Sequence, residues 1–341
     1  MRLALRLAIL PVMASVSGGC VAAAALPVAA AAGVIGKRTV TKDQPVLPTR
    51  TGGQTAQAKP APQPVATATE SASDTNAVPK EMQFLYGSGE AAALSMQAYT
   101  GLSDYVRART DDRQVGQKIW SVVLDDKSTL AEPGLRECAP DQPLAIVLDV
   151  DETTVLNLGF ESDAAKGNAY SPQRWDAWER SGGADVAPVP GVVAALNDAR
   201  AKGVTVIFNT NRSSANAAAT AQMLDAAGLG PAVPGETLFT KGEGVHGKDG
   251  RRDVIAKHYC VIAMAGDQLG DFTDLFDDSS LSVAQRRAAV TSEAFAPLWG
   301  HGWFILPNPV YGTALKGGAD DVFPADKRWS PPLAPTGGAQ P

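Results

Sequence analysis

The chain has few of the residues that mark histidine-based metal sites, and it lacks the charge pattern of nucleic-acid binders. Its three histidines, His246, His258 and His301, show no metal-ligand spacing and build no Ser-His-Asp arrangement. There is no basic tract and the net charge is −6, which leaves no electrostatic footprint for nucleic acid or an anionic membrane surface. The apolar stretch near the N-terminus covers only residues 3–16, short of the roughly 20 residues a membrane helix needs. Aromatics are absent from residues 37–79, which are rich in Pro, Ala, Thr, Gln and Ser. Such a segment buries too little surface to offset its ordering entropy, so a disordered tether is expected over residues 21–79.

The short apolar stretch follows Arg2, contains Arg6 and ends at Ser17-Gly-Gly-Cys20. That is the pattern of an export signal over residues 1–20, with small residues before a cysteine that lipoprotein processing would acylate. Ser17 departs from the usual leucine, and plain cleavage among residues 22–32 is the competing reading. Either way an exported protein is expected, periplasmic or anchored to the bacterial envelope, with no membrane contact beyond a lipid on Cys20. The folded domain is expected over residues 80–328 and a flexible tail over 329–341. Cys138 and Cys260 remain. An exported setting permits their pairing, and two buried thiols are the alternative.

Three apolar runs, residues 144–148, 204–208 and 260–264, each end on a polar cluster. The clusters are Asp149-Val-Asp151-Glu-Thr153, Asn209-Thr210-Asn211-Arg212 and Gly266-Asp267-Gln-Leu-Gly-Asp271. Helical spacing over residues 79–109 is broken near Gly87 and Gly89, and further helices are predicted over 190–202, 213–227 and 252–257, with a short strand at 237–240. This alternation predicts an α/β fold with a doubly wound parallel sheet, whose ligands sit beyond the carboxyl ends of the strands. Residues 157–190, with Phe160, Tyr170, Trp175 and Trp178, are too long for a plain connection. They are read as a small cap insertion after the first motif strand.

The chemistry follows from the clusters. Asp149 is placed to attack phosphorus and form an aspartyl-phosphate, which splits one hard displacement into two easier ones. Asp151 would protonate the leaving oxygen and then activate water. Acids so close to an anionic transition state repel it, and an oxygen-bound Mg²⁺ would relieve that. Its expected ligands are Asp149, the backbone carbonyl of Asp151 and Asp267, with Asp271 bracing the loop. Thr210 or Asn211 would hydrogen-bond a phosphoryl oxygen, and Arg212 is assigned with Asn211 to substrate binding. Lys248, with Lys241 in reserve, would balance the nucleophile and bind phosphate. Taken singly, acids after a strand are often helix caps or solvated turns, and a given lysine is usually a surface charge. Three such clusters at consecutive strand ends point to one site.

The ordered motifs D-V-D-E-T-T-V-L-N, V-I-F-N-T-N-R, K-D-G-R and A-G-D-Q-L-G-D-F resemble the four motifs of the haloacid dehalogenase superfamily. More narrowly, the chain is similar to the class C acid phosphatases and 5′-nucleotidase lipoproteins of bacterial envelopes. The similarity runs from Met96-Gln-Ala-Tyr99 to Leu306-Pro-Asn-Pro-Val-Tyr311-Gly and includes Trp175, Trp178 and Val189-Pro-Gly191. It implies Asp149 as nucleophile, Asp151 as acid/base, Thr210 as phosphate binder, Lys248 as motif lysine beside Arg251, and Asp267 as metal ligand. Where the family often reads Asp-Asn-Ser-Pro-Tyr, this chain has Leu156-Asn157-Leu-Gly-Phe160, and Gly270 replaces an acid.

Nucleoside monophosphates are the expected substrates, with Phe160 and Tyr311 stacking the base and Trp175 and Trp178 anchoring the insertion. A phosphotransferase on the same aspartyl-phosphate, a broad non-nucleotide phosphatase and a non-catalytic binding protein are the alternatives. Gly242-Glu-Gly244-Val-His-Gly247 fits a dinucleotide fingerprint, but it falls late in the chain and is read as a loop. Oligomeric state is left open.

Overall fold

A computed structural model describes residues 77–331. The expected signal, Cys20, nearly all of the tether and most of the tail lie outside the described residues. Among the described residues no helix is long and apolar enough to cross a membrane.

Five parallel strands form the central sheet. They are β3 (Leu144–Leu148), β6 (Thr205–Ser213), β7 (Leu238–Lys241), β8 (Cys260–Gly266) and β9 (Trp303–Ile305), in the order β7-β6-β3-β8-β9. Every residue of β3 and β8 is buried, as unbroken apolar runs require when both faces of a parallel sheet are covered. From β3 the chain moves outward through β6 to β7, then returns to β8 on the other side. The reversal places a crevice between the ends of β3 and β8.

Alternation along the strands divides the core. Ile146, Leu148, Val206 and Phe208 face helices Gly89–Gln114, Val192–Ala201 and Ala217–Ala226. Ala145, Val147 and Ile207 face helix Asp249–His258 and an aromatic layer of Phe272, Phe276, Phe295 and Trp303. That second face also packs on a hairpin of β1 (Trp120–Leu124) and β2 (Leu135–Glu137), which the sequence reading left unassigned. Cys138, just after the hairpin, is disulfide-bonded to Cys260 at the start of β8, with Cα atoms 5.5 Å apart.

Several boundaries shift from expectation. The strand expected to end at Phe208 runs on through the cluster Asn209–Arg212 to Ser213, with an irregularity in its pairing to β7 after Asn209. The helix expected from residue 213 opens as a 3-10 turn, Ser214–Asn216, before Ala217–Ala226. It stops at Gly228, whose φ of +74° is the left-handed conformation of a helix-ending glycine. The helix expected from residue 252 begins at Asp249, only two residues after Gly247.

The segment between β3 and β6 closes on itself at its base through β4 (Val155–Leu156), paired antiparallel with β5 (Ala187–Pro188). Two helices stand between them, Leu158–Ala164 and Pro172–Ser181. Ser171 caps the second by accepting from Arg174 N, with Pro172 in the first turn where a missing N–H costs nothing.

Candidate active site

Asp149 leaves β3 with its N–H bonded to Ala265 O at 3.0 Å, so the ladder with β8 fixes the first carboxylate next to the end of that strand. Asp267 and Asp271 arrive from the turn after β8. Carboxylate oxygens of Asp149, Asp267 and Asp271 lie within 4.8 Å of one another, and all three residues are buried.

Lys248 enters this group from the helix at Asp249. Its Nζ donates to Asp149 Oδ1, and to Asp271 Oδ1 at 2.6 Å. The lysine is held by its own backbone, since Asp274 accepts from the N–H groups of Lys248 and Asp249 at 2.8 and 2.9 Å. Gly247 makes that possible: its φ is +71° and a Cβ there would lie 2.2 Å from Asp274 Oδ2. Buried Arg252 bonds the carbonyls of Gly270 and Asp271, both at 2.9 Å, and so ties the lysine's helix to the acid loop. At Gly270 a Cβ would meet Asp277 Oδ2 at 2.1 Å, the far end of an exposed side chain that can turn aside.

Charge is unbalanced here. Burial pushes the Asp149 carboxyl up, opposed by Lys248 and reinforced by Asp271, Asp267 and Asp151. Asp267 is pushed up to about 7 by burial and Asp271, although Asn308 and Gln268 donate to its Oδ2 at 2.8 and 2.9 Å. Thr153 donates to its other oxygen at 2.9 Å. Burial alone would lower the Lys248 ammonium, but Asp149 and Asp271 raise it. One lysine faces three acids, an excess that a divalent cation would neutralise.

Asp151 faces the cavity from the turn and is gripped by Arg212, whose Nη2 lies 2.7 Å from Oδ1. Asn157 Nδ2 adds a bond at 3.0 Å. The sequence reading missed the residue beside it. Glu152 is the one non-glycine residue of positive φ among the described residues, at +52°, a conformation costing roughly 1–2 kcal/mol. Its carboxylate accepts from the hydroxyls of Tyr86 and Tyr311 and from Asn157. Burial and then Asp151 raise it to about 7, against the hydrogen bonds from Tyr311 and Asn157. Glu152 therefore joins the N-terminal helical segment, the turn after β3 and the Tyr311 loop. Its adjacency to Asp151 was the only hint in the sequence, since all its partners but Asn157 are remote.

A cavity of about 720 Å³ opens over these groups. Asp149, Asp151, Phe160, Asn211, Lys241, Lys248, Asp267, Asp271 and Tyr311 all reach it. Thr210 and Arg212 lie beneath and do not line it. Thr210 Oγ1 accepts from Arg212 N at 3.1 Å, and Arg212 spends Nε and Nη2 on Asp151 and Asn157. Lys241 lines the wall, whereas Lys248 sits between the acids. Phe160 packs against Trp175 at 5.0 Å and nearly perpendicular. Trp178 anchors through Nε1 to Asn157 Oδ1 at 3.0 Å, while Trp175 reaches the cavity.

A family described as HAD superfamily, subfamily IIIB (Acid phosphatase) matches residues 65–314. Among solved structures, the class C acid phosphatase from Bacillus anthracis is 26% identical, with 70% of this chain and 87% of that one covered at a TM-score of 0.55. A class C acid phosphatase from Bacillus anthracis with tungstate bound is 24% identical, over 73% of this chain and 94% of that one, at a TM-score of 0.56. The second likeness is one of fold alone. No curated protein matches the chain.

Proposed function

The chain belongs to the acid phosphatases of HAD superfamily subfamily IIIB and is a phosphomonoesterase; from that premise we propose that it works through an aspartyl-phosphate on Asp149, with Mg²⁺, on nucleoside monophosphates. The observation that carries the reading is the meeting of Asp149, Asp267, Asp271 and Lys248 on the floor of one cavity.

An Asp149 oxygen forms the new bond to phosphorus as the bond to the leaving alcohol breaks, and Asp151 gives that alcohol its proton. Water then attacks the same phosphorus, its proton passes to Asp151, and the bond to Asp149 breaks to release phosphate. Arg212 keeps the Asp151 carboxyl aimed at the cavity. The Lys248 ammonium offsets the negative charge gathered around the nucleophile. The oxygen-only, buried donor set of Asp149, Asp267 and Asp271 fits a hard divalent cation, with the Asp151 carbonyl as a further ligand. Mg²⁺ held there would supply charge neutralisation at the phosphoryl oxygens.

For the leaving group, Phe160 and Tyr311 on the cavity wall support a stacked nucleobase. Export to the envelope is supported by the Arg-flanked apolar start and Cys20, and by a disulfide of the kind that persists in oxidising compartments.

The test is phosphate release from nucleoside monophosphates, sugar phosphates and aryl phosphates, with and without chelator, in wild type and Asp149→Asn. The amide cannot form the phosphoenzyme, so the variant is expected to keep its fold and fall below about a hundredth of wild-type activity. Turnover above that level in a clean preparation removes Asp149 as nucleophile.

A further inference from the structure

Among the described residues three glutamates are buried, Glu152, Glu161 and Glu179. Glu152 is satisfied as described, and Glu179 accepts from Ser213 N and Asn216 Nδ2. Glu161 is different. It is 6% exposed and lines the catalytic cavity, yet no hydrogen bond or ion pair among the described residues reaches its carboxylate. Its carboxylate oxygens open onto the cavity rather than into the core, where an entering group can reach them, and burial of the side chain pushes this carboxyl above its ordinary range. Arg174, the nearest guanidinium in sequence, is taken by Asp163.

The walls beside Glu161 are aromatic. Phe160, Tyr170 and Trp175 line the same cavity, with ring centroids 5.0 to 6.5 Å apart and Phe160 nearly perpendicular to Trp175. Tyr170 is 64% exposed, so the corner is open to an entering group. Ring faces attract cations, and this cluster already holds two: Arg174 lies over Phe160 at 5.5 Å and Arg212 over Trp175 at 5.7 Å. Aromatic walls beside a cavity-facing carboxylate that no side-chain cation pairs suit an organic cation better than a neutral group.

We infer that the leaving-group end of the cavity also takes phosphomonoesters of small alcohols that carry an ammonium group, in preference to their neutral isosteres, with Glu161 as a specificity-determining residue. The inference rests on the phosphomonoesterase reading and adds a second substrate class to the nucleotides, with which it shares the Phe160 wall.

The experiment compares kcat/KM for phosphocholine and for its neutral isostere, 3,3-dimethylbutyl phosphate, in wild type and Glu161→Gln. Wild type is expected to prefer phosphocholine by about tenfold or more, and the glutamine variant to lose most of that ratio. A ratio near one in wild type overturns the inference even if the variant does not fold, and so does a ratio that the substitution leaves unchanged. Turnover of p-nitrophenyl phosphate separates the two readings. Wild type that hydrolyses it without preferring phosphocholine loses this inference alone, whereas wild type that hydrolyses none of the three esters loses the phosphatase reading as well.

Discussion

Arg212 holds Asp151 through two nitrogens, Nη2 at 2.7 Å and Nε at 3.0 Å from Oδ1, with Nε also 3.2 Å from Oδ2. The arginine is 2% exposed, so the grip is made away from solvent, where charge-assisted bonds are strong. A lysine there keeps the charge but not the fork. Arg212→Lys is expected to lower kcat for an alkyl phosphate by roughly 10- to 100-fold through misplacement of the acid. The loss should be smaller for p-nitrophenyl phosphate, whose leaving group needs no proton. Equal losses on both esters would detach Arg212 from proton transfer.

Asp151→Asn would remove the proton that the proposed mechanism draws from this carboxyl. General acid–base catalysis contributes about 10²- to 10⁴-fold, and a loss of that size is expected with alkyl phosphates. An activated aryl phosphate should recover part of it. If turnover of the two ester types falls in parallel, Asp151 is not the acid.

Chelator is expected to silence the enzyme and Mg²⁺ to restore it, because the buried acids have one lysine between them. Asp267→Ala should raise the Mg²⁺ concentration needed for half-maximal rate. Full activity in excess chelator would end the metal reading.

The metal-free protein should also respond to pH in a defined direction. Asp267 and Glu152 titrate near 7 in the fold, against 3.8 and 4.5 as ordinary values. Between those limits these two groups hold more protons in the folded state than in the unfolded one, so the stability they contribute is fully present below the ordinary values and is lost as pH rises to about 7. Thermal unfolding in chelator at pH 5 and pH 7.5 checks this: Tm is expected to be lower at the higher pH, with Mg²⁺ narrowing the gap. A Tm that rises with pH in chelator contradicts the assignment.

Tyr311 has a ring on the cavity and a hydroxyl on Glu152, and two substitutions separate them. Tyr311→Ala is expected to lower kcat/KM for a nucleoside monophosphate by roughly 10- to 100-fold relative to ribose 5-phosphate, the worth of one stacking contact. Tyr311→Phe keeps the ring and should retain the nucleotide preference. If wild type shows no such preference, or Ala affects both substrates alike, the ring does not stack a base.

Cys20 tests localisation. Cys20→Ser is expected to move the mature protein from the membrane to the soluble fraction, followed by fractionation of expressing cells. Unchanged membrane retention argues against a lipid on that residue.

Short-range pattern made part of this protein legible without coordinates. Buried parallel strands must be apolar throughout, so residues 144–148 and 260–264 stood out, and polar residues directly after them had to lie at the strand ends. Asp149, Asp151 and Asp267 were accessible for that reason. The N-terminal hairpin was not, because its strands carry no comparable run and take their place by packing on an existing sheet. Polar residues 209–212 read as lying beyond the strand end, yet β6 runs through them to Ser213, where its pairing with β7 resumes.

The sequence by itself determined the alternation of strands and helices and the acids at the strand ends, because both depend on neighbours a few residues away. Only the tertiary structure decided that Lys248 rather than Lys241 enters the acid cluster, that Cys138 meets Cys260, and that Arg212 turns from the cavity to Asp151. It also made Glu152 a junction. Arg212 and Asp151 are 61 residues apart, and Tyr311 and Glu152 are 159 apart. Contacts at such separations depend on which strands lie side by side and on which face each connection crosses. No local propensity encodes that.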